Sequence, residues 1–296
     1  MLKVFAVHSS GHTLTGEPVT GRQELDVKTI KFKGGEMHPT VYPNGKPVAV
    51  HIQVHLTGGD DVMELLLVTD AVKRLYPMLP ITLIMPYVPY ARQDRVANHG
   101  EAHGLKVFCK LINDQGYARV VVQDPHSDVA TALLDNVVVD EAYSAIEEAV
   151  RKIEARYGVL PALVSPDAGA RKRTLKIAHY LGGLQVVFAD KVRDTKTLEI
   201  TATEIHGDMP DAPLLVVDDI CDGGRTFIEL AKAVRKLEAV ETTAGETALE
   251  ATWPMRPMFL YVTHGIFSYG AELLLEHYTS VFTRNNWTDD TRVIDV

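Results

Sequence analysis

Apolar positions along the 296 residues fall into two recurring patterns, short unbroken runs and longer stretches spaced three or four apart, which alternate through most of the chain. Residues 1–60 open with strand-like runs, LKVFAVHS, LDVKTIKF and KPVAVHIQVHL, separated by turns containing Gly or Pro. Between the second and third lies KFKGGEMHP, which reads as a hairpin tip. In DDVMELLLVTDAVKRL, Val62, Leu65, Leu66, Val68 and Val72 recur at helical spacing, acids first and bases last, as a helix dipole favours. A strand opens PITLIMPYVPYARQDR, a helix is predicted from Gly100 to Asn113 with Gly116 ending it, and the buried run ARVVVQDPH follows. Near Asp140 the alternation begins again. A helix in EAYSAIEEAVRKIEARYG precedes the strand of ALVSPDAGARKRTLKIAHYLG, then a strand in LQVVFADKVRDTKTLEI and a polar segment reaching Met209. The remainder predicts strand LLVV, helix FIELAKAVRKLEAV, a polar connection or helix extension in ETTAGETALEATWP, then strand, turn, helix and strand. Two α/β domains of similar size are expected, residues 1–140 and 141–296, each a mostly parallel sheet flanked by helices.

The richest stretch is LLVVDDICDGGRT, Leu214–Thr226. Its apolar run predicts a buried strand that stops at Asp218 and Asp219, and ligands of open parallel sheets bind beyond the carboxyl ends of strands. Carboxylates accept hydrogen bonds from a diol such as the 2- and 3-hydroxyls of ribose. Asp222, Gly223, Gly224, Arg225 and Thr226 then lead into a helix expected from Phe227; glycine turns and helix-start amides suit a phosphate. One loop is thus able to hold a ribose 5-phosphate at both ends, although Asp and Gly also make ordinary solvated turns.

Other strand ends carry weaker signals. Tyr87 and Tyr90 precede Arg92, Gln93, Asp94 and Arg95, a group suited to a triphosphate and a purine edge, while clustered arginines are more often solvated or ion-paired. Asp124 and His126 end the next run; magnesium takes oxygen ligands, so His126 suits a phosphate or a metal-bound water better. Asp167, with an adjacent Gly turn and the bases Arg171, Lys172 and Arg173, fits a metal-bridged diphosphate or a plain turn before a basic helix surface. Lys191 and Arg193 open the polar segment, which is either a surface loop or a lid that brings cations to bound substrate.

Composition narrows the class. With 46% hydrophobic and 23% charged residues the chain is of the ordinary globular kind, and a net charge of −9 argues against nucleic acid or an anionic membrane as a partner. Two cysteines and no secretory signal point to a reducing cytoplasm. The longest uncharged apolar stretch, Tyr76–Ala91, is interrupted by Pro77, Pro80, Pro86 and Pro89, too many for a membrane helix. No Walker A motif is present, so any use of ATP proceeds without a P-loop.

Taken in order, MELLLVTDAVKRL, MPYVPYARQDR, DPHS, VSPDAGA, the Lys191/Arg193 pair, VVDDICDGGRT and VTHGIFSYGA resemble the ribose-phosphate pyrophosphokinase family over most of the chain. The resemblance implies two tandem phosphoribosyltransferase-like (type I) domains with a site at their junction. It implies Mg2+-dependent transfer of the diphosphoryl group of ATP to the 1-hydroxyl of ribose 5-phosphate, giving PRPP and AMP. By the same resemblance Arg92, Gln93, Arg95 and His126 hold ATP, His126 and Asp167 lie near the metal, and Lys191 and Arg193 are catalytic cations. Asp218 and Asp219 hold the ribose, and the stretch Asp222–Thr226 its phosphate. The family's acidic tip reaches the nucleotide of a neighbouring subunit, which implies a homo-oligomer based on dimers or a hexamer with Phe32 and Glu36 at that contact.

Departures from the family pattern are specific. Gly223 replaces a Thr and Arg225 a Gly in the sugar-phosphate loop, Gly34 replaces the Asp of the tip, Pro125 and Ala170 are also unusual, and ANHGEAHG lacks the family's bases. Altered phosphate regulation and a relaxed nucleotide preference are expected from them. Two rival readings remain at this point. A phosphoribosyltransferase would consume PRPP and is opposed by ARQDR; a non-catalytic homologue is opposed by Lys191, Arg193 and the acid pair.

Overall fold

A computed structural model describes residues 1–12, 18–193, 200–244 and 255–296, which fall into two compact units, Met1–Glu141 and Ala142–Val296. Positions 194–199, within the expected lid, lie outside the described residues.

In the first unit a six-stranded sheet is built from β1 (Leu2–His12), β2 (Pro18–Leu25), β5 (Ala49–Val54), β6 (Ile81–Ile84), β7 (Arg119–Gln123) and β8 (Val137–Asp140). Its order is β2-β1-β5-β6-β7-β8, with β1 antiparallel to both neighbours and β5 to β8 parallel. The alternation in β1 and β5 sends Val4, Ala6, Val50, Ile52 and Val54 into one core with Leu65, Val68 and Val72 of α1 (Gly59–Leu75) and Phe108 and Ile112 of α2 (Gly104–Asn113). A short α3 (Asp128–Leu133) adds Ala130.

Several boundaries differ from the sequence expectation. LDVKTIKF is two strands: Leu25 ends β2, and Val27–Lys31 forms β3, paired with β4 (Met37–Val41) in a separate two-stranded hairpin. β2 and β4 escaped notice because each carries a proline, Pro18 and Pro39, where a strand pattern is usually discounted. α2 begins at Gly104, not Gly100, because the Glu101 carboxylate first binds the amides of Ala97 and Asn98 at 2.9 and 3.0 Å, and His103 then caps the helix through Lys106 N at 3.1 Å.

The second unit holds a seven-stranded sheet, β11-β10-β9-β12-β13-β14-β15, parallel at every pairing but β10 with β11, which is antiparallel. Its strands are β9 (Ala162–Ser165), β10 (Val186–Arg193), β11 (Ile200–His206), β12 (Leu214–Cys221), β13 (Met258–Gly265), β14 (Ser280–Asn286) and β15 (Val293–Asp295). Around it lie α4 (Tyr143–Tyr157), α5 (Arg171–Tyr180), α6 (Arg225–Ala244) and the short α7 (Glu272–Leu275). The unbroken run LLVV now has a cause. Leu214 and Val216 enter the core shared with Phe227, Leu230 and Val234 of α6, while Leu215 and Val217 enter the opposite core with Ile146 and Ile153 of α4 and Ile177 of α5.

The acids do not end the strand as expected. β12 continues through them, pairing Asp218 with Val262, Ile220 with His264 and Cys221 with Gly265 of the equally long β13. The polar segment after LQVVF is a β10–β11 hairpin, and α6 starts two residues ahead of Phe227.

Candidate active site

The parallel pair β9 and β12 sits where the sheet changes direction: the chain leaves β9 for β10 on one side, then returns to lay β12 on the other. Such a switch point opens a crevice at the carboxyl ends of its strands. Asp167 follows β9, and Asp218 and Asp219 lie in the carboxyl half of β12.

The acid pair is largely shielded from water. The Asp218 side chain is 17% exposed and Asp219 is 9% exposed. Burial foremost, then the Asp219 charge, holds the Asp218 carboxyl well above the usual carboxylate range, with Arg173 pulling it back and Asp167 pushing it further up. Arg173, on α5, donates to the Asp218 main-chain oxygen at 3.0 Å and to Thr263 Oγ1 at 3.4 Å. The basic cluster at the start of this helix was legible in the sequence; that one member reaches the acids was not. Arg171, two residues earlier, instead pairs with Asp190 at 2.6 Å, which also meets His206 Nε2 at 3.1 Å, tying α5 to the base of the β10–β11 hairpin.

Beyond Cys221 the chain turns through Gly223 and Gly224. Gly224 has φ +75°, a conformation glycine adopts without strain, and its carbonyl accepts from Phe227 N at 3.0 Å and Ile228 N at 3.1 Å as α6 begins. The first amides of that helix have no partner within it and face an anion readily. The Asp222 carboxylate accepts from the Ser268 hydroxyl, so it is the main chain at 222 that remains suited to a phosphate. Cys221 is buried, and burial together with Asp218 and Asp222 pushes its thiol up to about 12, which disqualifies it as a nucleophile. His264 is 1% exposed and meets Asn285 Nδ2 at 3.3 Å, a packing role.

For magnesium, Asp167 supplies a suitable oxygen donor, its Oδ1 also accepting from Ala170 N at 3.1 Å. Among the described residues no group of three or more His, Cys, Asp or Glu is arranged to hold a metal by itself.

In the first unit the loops after β6 and β7 leave neighbouring strands, joined by Met85 N to Val121 O and Gln123 N to Pro86 O, both at 2.9 Å. The first loop carries Arg92, Gln93 and Arg95, and the second His126 after the buried Asp124. Tyr90 (φ 62°) turns the chain; its carbonyl accepts from Gln93 N at 2.8 Å, and its ring packs 5.9 Å from Phe108. Phe32 and Glu36 lie at the tip of the separate β3–β4 hairpin, where Phe32 N donates to Glu36 O at 2.8 Å and Phe32 is 53% exposed. Lys191 and Arg193 are on β10, with Lys191 opposite Thr203; their side chains lie outside the described residues.

These two sheets, mostly parallel and flanked by helices, define the α/β class of paired phosphoribosyltransferase-like units. A solved structure of phosphoribosylpyrophosphate synthetase from Mycobacterium smegmatis shares the fold, with TM-score 0.71 and 23% identity over 88% of this chain and 80% of that one. The N-terminal domain of ribose phosphate pyrophosphokinase, as a family model, matches residues 18–116. Ribose-phosphate pyrophosphokinases from Campylobacter jejuni and Agrobacterium fabrum are 33% and 30% identical, over 74% and 91% of this chain and 70% and 82% of their own lengths. The chain belongs to the ribose-phosphate pyrophosphokinase family and is an enzyme of PRPP synthesis, as its motifs led one to expect. Among the described residues no helix is long and apolar enough to cross a membrane.

Proposed function

We propose that this enzyme transfers the diphosphoryl group of ATP to the 1-hydroxyl of ribose 5-phosphate, releasing AMP, in a magnesium-dependent reaction. The observation that carries the reading is the shielded acid pair Asp218 and Asp219, in line with a glycine turn and the start of α6, across the β9–β12 switch from Asp167. The pair accepts hydrogen bonds from the ribose 2- and 3-hydroxyls, and the main chain from Asp222 to Thr226, with the Arg225 cation, cradles the 5-phosphate. Arg92, Gln93 and Arg95 hold the nucleotide, and His126 contacts its phosphates or a metal-bound water. Asp167 would hold magnesium, which when bound supplies neutralising charge to the diphosphate. Lys191 and Arg193, carried in by the hairpin, stabilise charge as the sugar hydroxyl attacks the β-phosphorus in line. Positioning and electrostatics suffice, because phosphoryl transfer asks little covalent chemistry of a protein.

The enzyme works as a homo-oligomer in which Phe32 and Glu36 of one subunit reach the nucleotide of its neighbour, inside a reducing, cytoplasmic compartment. Mixing the purified protein with ATP and ribose 5-phosphate, with Mg2+ or with a chelator, tests the reading. AMP that forms only with the sugar phosphate and the metal supports it; no AMP in the complete mixture overturns it.

A further inference from the structure

We propose that Tyr269 is a ligand-binding residue of the sugar-phosphate loop, its phenol hydroxyl donating a hydrogen bond to the phosphate monoester of the sugar. This rests on the reading of Asp218–Thr226 as the ribose 5-phosphate site.

The turn after β13 is fastened to that loop. Ile266 N and Phe267 N donate to Cys221 O at 2.9 and 3.1 Å, Ser268 N donates to Asp222 O at 3.1 Å, and the Ser268 hydroxyl donates to the Asp222 carboxylate. Phe267 is buried at 3% exposure and Gly270 N closes the turn onto its carbonyl at 2.7 Å. Held on this base, Tyr269 is 82% exposed and open to a ligand on one side.

What it meets is Gly223. A Cβ added there would stand 3.1 Å from Tyr269 Cε2 and 3.3 Å from Cδ2. Gly223 is not among the glycines with positive φ, so its backbone does not demand glycine; the tight neighbour a side chain there would meet is the ring. The Cδ2–Cε2 edge of the ring therefore lies along Gly223, and Cε2 is bonded to the carbon that bears the hydroxyl, which keeps the phenol beside the loop. A side chain at 223 would therefore press on the Tyr269 ring and shift it from the loop. A phenol is a neutral donor well matched to phosphate oxygens that already receive main-chain amides.

Steady-state kinetics of the full-length enzyme test this, with KM for ribose 5-phosphate and kcat measured separately for Tyr269→Phe, Gly223→Thr, Gly223→Thr/Tyr269→Ala and Asp219→Asn. Tyr269→Phe is expected to raise KM for the sugar phosphate about tenfold, the scale of one hydrogen bond to a charged group, with kcat and KM for ATP within about twofold. Gly223→Thr alone should be worse than the same change made with Tyr269→Ala. An unchanged KM in Tyr269→Phe, or a Gly223→Thr enzyme no worse than Gly223→Thr/Tyr269→Ala, overturns the proposal. If Asp219→Asn loses sugar-phosphate affinity in that same series, only the tyrosine's role has failed; if Asp219→Asn also keeps it, the loop itself has been misassigned. Weaker competition by inorganic phosphate without a change in KM for the sugar phosphate would likewise count against the proposal.

Discussion

Arg173 Nη2 donates to the main-chain oxygen of Asp218 at 3.0 Å, and its Nη1 stands 3.8 Å from the Asp218 carboxylate. The guanidinium is the principal charge opposing the burial of an acid pair that we propose offers its lone pairs to a diol. With side chains only 21% and 17% exposed, this pair is less screened than a surface ion pair. Arg173→Leu should therefore cost about 1.5–3 kcal/mol in urea unfolding at neutral pH and raise KM for ribose 5-phosphate. An unchanged unfolding midpoint would show that the acids are compensated by other means.

The pH dependence of stability follows from Asp218. Its folded-state pKa is raised, by burial first and by Asp219 next, so the native state binds this proton more tightly than the unfolded chain. The contribution is fully present below the ordinary aspartate pKa of about 3.9 and is lost as pH rises through the folded value. With chelator and no substrate, Asp218→Asn should be more stable than wild type at pH 7, and the difference should shrink on acidification. A variant less stable at pH 7 would contradict the sign. Weaker binding of the sugar is expected alongside the gain in stability.

Lys191 and Arg193 share β10 with Asp190, which Arg171 and His206 anchor. Replacing either with Ala should lower kcat on the order of 10²-fold or more, as removal of a charge-stabilising donor does elsewhere, with a much smaller effect on KM. Single-turnover measurements that leave the chemical rate intact would remove both residues from the mechanism.

Gly104 offers a probe of the loop proposed to hold the nucleotide. A Cβ there would lie against Gln93 Oε1, the movable end of a side chain, and 3.1 Å from Tyr90 Cδ1. Gly104→Ala should displace Gln93 and raise KM for ATP severalfold while leaving KM for ribose 5-phosphate and the thermal midpoint near wild type. Equal shifts in both KM values would speak against a nucleotide-specific loop.

Away from the site, Glu238 is 4% exposed and binds Arg235 Nη1 at 2.7 Å and Arg256 N at 2.9 Å, while Arg256 Nε donates to Pro210 O at 2.6 Å. Removing one partner from such a buried pair strands the other charge. Glu238→Ala should cost about 3–5 kcal/mol by chemical denaturation. A loss below about 1 kcal/mol would show that water reaches Arg256 in the variant.

How far the sequence disclosed this molecule depended on whether the cause was local. LLVV and its acids were legible because a run buried on both faces needs no partner information. The extension of β12 to Cys221 was not, since it depends on the equal length of β13 beside it. β2 and β4 carry prolines and polar outward faces, so their pairing is visible only in three dimensions. The reach of Arg173 to the acids and the approach of Tyr269 to Gly223 were not legible for the same reason: one spans 45 residues to Asp218, the other meets a glycine from a separate turn. The early start of α6 reflects Gly224, whose carbonyl receives the first helical bonds, a role that the apolar spacing from Phe227 did not reveal.

Phosphorus NMR of the protein with ATP, ribose 5-phosphate and Mg2+ tests the central claim most directly. The account predicts AMP together with a new pair of coupled diphosphate signals on the sugar, the 5-phosphate signal being retained. ADP with a sugar bisphosphate, or no coupled pair at all, would contradict diphosphoryl transfer.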